Sequence, residues 1–144
     1  MNNYIGTGTV TYENGIIQKG SFQNGTFNGI CTIIWPDGDT FTGNLTNNVR
    51  NGTGTFTGAD GRIYTGEWEN DKKQGSGTYK FANGDIYVGE FKLGEYHGSG
   101  KYTWADGKYY EGEWCQGVKH GKGKTVGDEV EEGTYVNGEF VGAV

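Results

Sequence analysis

Asp85-Ile86-Tyr87-Val88-Gly89-Glu90-Phe91, a turn-rich Lys92 to His97, Gly98-Ser99-Gly100, and Lys101-Tyr102-Thr103-Trp104-Ala105-Asp106-Gly107 together form the stretch that decides the fold. Moved by 23 residues in either direction, it meets its own pattern. Gly20, Gly43, Gly66, Gly89 and Gly112 fall in one column; Phe22, Leu45, Trp68, Phe91 and Trp114 fall in another. Self-similarity at a fixed period of this length identifies a repeat architecture, in which each unit buries its apolar face only by stacking on its neighbours.

Composition agrees. Of 144 residues only 33% are hydrophobic, low for one compact core, and the apolar mass lies in 4 Trp, 10 Tyr and 7 Phe. The 29 glycines are periodic, unlike those of a low-complexity chain, and Pro36 is the single proline. A net charge of −6 opposes nucleic-acid binding and disfavours anionic lipid, both of which need clustered Lys and Arg. Cys31 and Cys115 make no disulfide framework, and no His/Cys spacing suggests a metal. The start, Met1-Asn2-Asn3-Tyr4, lacks an apolar leader, so the Asn-x-Thr sequons at Asn24, Asn44 and Asn51 read as loop residues and the expected location is cytoplasmic.

The repeats read as 16–38, 39–61, 62–84, 85–107 and 108–131, with partial units at 4–15 and 132–144, in a single domain over 1–144. The last is two residues short after Gly123, leaving Gly133 and Tyr135 out of phase by an even number. Each unit is two strands. Alternation puts Tyr110, Gly112 and Trp114 on one face and Glu111 and Glu113 on the other. A two-residue Asp106-Gly107 turn would scatter the rings. A three-residue loop, Ala105-Asp106-Gly107, pairs Tyr102 with Tyr110 and Gly100 with Gly112, gathering most aromatics on one face, and is the expected turn. Glycines on that face leave room for rings to lie across the backbone. The column Gly25, Asn48, Asp71, Gly94, Gly117 and Gly138 holds residues that tolerate positive φ, as a second turn requires.

Tyr87-Val88-Gly89-Glu90-Phe91, Lys92-Leu93-Gly94 and His97-Gly98-Ser99-Gly100 through Asp106-Gly107 resemble the MORN (membrane occupation and recognition nexus) repeat, as do the units beginning at Arg62 and Lys108. The resemblance implies an all-β fold: a single-layer, twisted antiparallel sheet of consecutive hairpins, curved and elongated, with some twelve strands here. It also implies a binding or scaffolding module of cytoskeletal, ciliary or similar assemblies, with lipid binding as a further family proposal. Gln18 and Glu131 stand where the motif has tyrosine, Cys31 where it has glycine, and Ser21 and Asn44 where it has an acid.

No enzyme is expected. His97 and His120 share a column with Asn28, Asn51 and Gln74, for which loop hydrogen bonding is a common explanation. Glu67, Glu90 and Glu113 recur with the sheet and read as a solvated face rather than as paired catalytic carboxylates. No catalytic residue, cofactor or metal is assigned. The candidate site is an aromatic groove of Trp68, Tyr79, Phe81, Phe91, Tyr102, Trp104 and Trp114, open to a partner's helix or extended peptide. Burial is expected to dominate for Tyr64, Tyr87 and Tyr110, and partner contact for Trp68, Phe91, Trp104 and Trp114. The column Phe27, Arg50, Lys73, Tyr96, Lys119 and Phe140 reads as off-face loop. Two alternatives stand beside the scaffold: peripheral membrane or phosphoinositide binding through Arg62, Lys72, Lys73 and Lys80, and self-assembly or homodimerisation through the edge strands at Tyr4 and at Gly138 to Val144.

Overall fold

The computed structural model describes residues 5–143. Tyr4 and Val144, which bound the expected edge strands, lie outside them. The chain is all-β, and its strand order in one open sheet follows the sequence. It divides into two compact units at Lys72/Lys73.

The first unit holds β1 (Ile5–Thr11), β2 (Ile17–Gln23), β3 (Thr26–Ile34), β4 (Thr40–Thr46), β5 (Val49–Thr57) and β6 (Ile63–Glu69). The second holds β7 (Lys72–Lys80, beginning at the boundary), β8 (Ile86–Lys92), β9 (Glu95–Thr103), β10 (Tyr109–Cys115), β11 (Val118–Val126), β12 (Val130–Val136) and β13 (Glu139–Gly142). Successive strands within each unit pair antiparallel. Where some twelve strands were expected, the described residues hold thirteen.

Two kinds of turn build the repeat. In the longer, Tyr102 faces Tyr110 and Gly100 faces Gly112, the register expected of a three-residue loop. Trp104 N donates to Lys108 O (2.8 Å) and Gly107 N to Trp104 O (2.9 Å), with Gly107 at φ 93°. The shorter turn has two residues at positive φ, as in Leu93 (52°) and Gly94 (85°), the mirror-image turn whose twist suits a tight hairpin. Its amide reaches back one repeat: Gly94 N donates to Lys73 O and Gly117 N to Tyr96 O, each at 3.0 Å.

Between the turns, the hairpins β2–β3, β4–β5, β8–β9 and β10–β11 each carry a bulge. Gly89 pairs with Gly100 but Phe91 with Tyr96, so His97, Gly98 and Ser99 lie opposite Glu90 alone. The carboxylate of Glu90 accepts Ser99 N at 2.7 Å, and Glu113 accepts Lys122 N at 3.0 Å. These glutamates are on the solvated face as expected, and they also cap amides that the bulge removes from the ladder.

The core is the glycine and aromatic face. Tyr64, Tyr87 and Tyr110 are 0% exposed. Each phenol donates to a backbone carbonyl, Tyr87 to Glu90 O at 2.8 Å, and those of Tyr87 and Tyr110 lie over glycine pairs. A Cβ on Gly100 would overlap the Tyr87 phenol, and one on Gly89 would overlap Gly100 Cα, so the close approach requires glycine at both. Tyr64 meets Trp68, Tyr87 meets Phe91 and Tyr110 meets Trp114 edge to face, with centroids 5.2, 5.1 and 5.0 Å apart. Such pairs add about 0.5–1.5 kcal/mol each beyond area burial. The two-residue deletion after Gly123 is absorbed by the loop from Gly127 to Glu129, closed by Gly127 N donating to Glu129 O. Gly123 therefore still meets Gly133, and Tyr135 is 1% exposed.

Candidate functional site

In both units cations of the chain stand over rings of the aromatic face, Lys73 over Tyr79 and Lys119 over Trp104 in the second. In the first, the Arg50 guanidinium stands 4.7 Å from the Trp68 ring centroid, 5.7 Å from Phe41 and 6.0 Å from Trp35. It is held there by Asp71, whose carboxylate is 3.1 Å from Arg50 Nε. Arg62, tied to Asp60 at 2.9 Å, lies over Phe56. The rings of this unit thus carry cations supplied by the chain itself.

In the second unit four half-buried rings run as a track: Tyr79 to Phe81 at 4.4 Å, Phe81 to Tyr102 at 5.6 Å, and Tyr102 to Trp104 at 5.1 Å between centroids. Tyr79 and Tyr102 are repeat equivalents on β7 and β9, as are Phe81 and Trp104 just past the ends of those strands. The next equivalents are Thr125 and Gly127, so the track ends at Trp104. Two open depressions of about 300 and 320 Å³ flank it on the short-turn side. Tyr96 lines both.

Three expectations are corrected here. The column Phe27, Arg50, Lys73, Tyr96, Lys119 and Phe140 is not off-face loop, because the short turn has two residues only and the column residue already belongs to the next strand. Phe27 is 1% exposed, Tyr96 stacks on Tyr87 at 3.9 Å and 14°, and Phe140 packs on Tyr135 at 5.3 Å. Trp68, Phe91 and Trp114, expected as contact rings, are 6, 4 and 8% exposed and form the floor. The indoles of Trp68 and Trp114 donate to Gly54 O and Gly100 O. Of the seven expected groove residues, Tyr79, Phe81, Tyr102 and Trp104 remain at the surface. Thirdly, within the second unit Lys73 and Lys80, two of the basic residues suggested for lipid, alternate to opposite faces of β7, and within the first Arg62 is ion-paired to Asp60.

Tyr96 and Lys119 escaped the sequence reading as site residues; their even spacing from Gly98 and Gly121 was the available signal. Lys119 Nζ lies 4.8 Å from the Tyr110 centroid and 5.4 Å from those of Trp104 and Tyr135, and burial pushes its pKa down. Across the track, Asp85 is 7% exposed and accepts from Tyr102 Oη at 2.6 Å and Ala105 N at 2.9 Å. The Tyr102 hydrogen bond holds its carboxyl below the usual range, and burial with the same bond pushes Tyr102 up. Four members of the histidine column bond the next hairpin's turn, in line with the loop reading; Gln74 accepts Leu93 N at 3.0 Å and His120 Nδ1 accepts Asn137 N at 3.4 Å. Among the described residues no group of three or more His, Cys, Asp or Glu is placed to hold a metal.

Consecutive hairpins with a glycine-and-ring face and a polar face define a hairpin-repeat protein. The MORN repeat model matches residues 19–40, 41–61, 64–86, 87–109 and 110–128, and the chain belongs to that family. The matched units begin two to three residues later than most of those read from the sequence. Comparison with curated proteins gives no match. Among solved structures, the chain is similar to the TCP domain of SAS-4 (dCPAP) of Drosophila melanogaster, solved in complex with a proline-rich motif of Ana2 (dSTIL). The identity is 14%, the TM-score 0.37, and the alignment covers 90% of this chain and 85% of that one.

Proposed function

We infer that the chain is a non-enzymatic interaction scaffold whose second unit binds a helix or extended segment of a partner protein on the rings Tyr79, Phe81, Tyr102 and Trp104. One observation carries this: these four rings stay half-exposed and contiguous after the sheet has packed its own core, beside two open depressions. Contiguous exposed aromatic surface is the ordinary mark of a docking site. The setting in this reading is a cytoplasmic, cytoskeleton-associated assembly.

Crosslinking mass spectrometry and pull-down from native cells test it, using the full chain beside the Phe81→Ala/Trp104→Ala double variant. Loss of captured segments with unchanged far-UV circular dichroism supports the reading; identical captures oppose it. Self-association is kept as a second reading because, among the described residues, β1 and β13 are the sheet's edges and each has one side without a strand partner. Sedimentation that finds only monomer at high concentration removes it.

A further inference from the structure

Resting on the docking reading above, we propose that the track takes a proline-rich segment in the polyproline II conformation, laid across the strands with one proline on each of two successive repeats. The first argument is spacing. Phe81 and Trp104 are repeat equivalents, as are Tyr79 and Tyr102, and each pair is separated by two strand spacings, about 9.6 Å. A polyproline II helix advances about 3.1 Å per residue with three residues per turn, so every third residue faces the same way at intervals of about 9.3 Å. Residues i and i+3 therefore meet equivalent rings, and the track has room for two such contacts before Thr125 and Gly127 replace its rings.

The second argument is hydrogen bonding. Among the described residues, the Trp104 indole N–H and the Tyr96 hydroxyl donate to no protein acceptor, and Lys119 Nζ, which lines the same depression, has Thr125 Oγ1 at 3.4 Å. The depression beside Tyr102 and Trp104 thus presents three donors. A proline-rich chain is the complement, since its carbonyls are unpaired and it has few N–H groups of its own. A helix has already used its carbonyls, and a strand laid across strands cannot join the ladder. Flat, pre-ordered prolines on Tyr, Trp and Phe rings also lose little conformational entropy on docking.

The test titrates the full chain by calorimetry with three peptides of equal length: one carrying Pro-x-x-Pro, one with the prolines respaced to Pro-x-x-x-Pro, and one proline-free amphipathic helix. The Pro-x-x-Pro peptide is expected to bind, respacing to weaken it about tenfold, and Trp104→Phe, which keeps a ring and removes the donor, to weaken it about fivefold. Spacing-insensitive binding, or no binding of either proline peptide to the folded chain, overturns the proposal. Preference for the helical peptide, lost in Phe81→Ala/Trp104→Ala, overturns it while leaving the docking reading intact; ring-independent capture in the crosslinking experiment defeats both.

Discussion

Gly100 and Tyr87 share one space: the phenol occupies the volume a Cβ would need. In the first repeat their equivalents are Cys31 and Gln18, so the side chain appears where the ring has gone. Cys31 is 1% exposed with Sγ 3.7 Å from Ser21 O, and Gln18 accepts from Tyr12 Oη at 3.1 Å. The two departures from the motif are one exchange. Gly100→Cys alone is expected to destabilise by about 3 kcal/mol through overpacking. Combined with Tyr87→Gln, the loss should fall short of the sum of the single losses by about 1 kcal/mol or more, read by urea unfolding. Additive losses would show that the ring and the glycine do not compete. Asp85 gives a pH prediction at the same scale. Its folded pKa is lowered, so the unfolded chain binds more protons, and its contribution is present above about pH 4 and lost on acidification below it. Tyr102→Phe should flatten that limb of the stability profile, because the hydroxyl is the largest cause of the shift.

At the level of the hairpin, the sequence carried the long loop and the ring-gathering register, because only one loop length puts Tyr102 opposite Tyr110. The bulge was not legible. Gly98 and Gly100 are the same residue type for unrelated reasons, a backbone at φ 69° in one and a ring overhead in the other, and no composition rule separates them. The same blindness put Tyr96 and Lys119 in a loop: turn residues mark where a hairpin reverses, but the two-residue limit depends on both being at positive φ. The pattern gave no such warning at Leu93 (52°) or Gln116 (51°), where the other short turns have Asn. Those two pay a steric cost that Asn avoids. Leu93→Asn and Gln116→Asn should each raise stability by about 1 kcal/mol, seen as a later urea midpoint at unchanged slope. Leu93 is 65% exposed, so no core is lost with it.

Across the whole chain the phenol column links stability to alkaline pH. Burial is the first cause of the raised pKa at Tyr64 and Tyr110, each pushed up to about 12, and it pushes Tyr87 up as well. An unfolded tyrosine ionises near pH 10, so the folded chain retains protons that the unfolded chain releases. The contribution is therefore complete below about pH 10 and is lost as pH rises towards the folded values. Because the column recurs through the repeats, the effect is distributed over both units rather than confined to one site. Urea unfolding followed from neutral pH upward should show stability flat to about pH 10 and falling beyond it. Tyrosinate absorbance of the buried class should appear together with loss of the far-UV strand signal. A full tyrosinate signal from a chain that still shows its strands would mean the phenols are not sealed over the glycines, and the glycine-and-ring core would have to be abandoned with them.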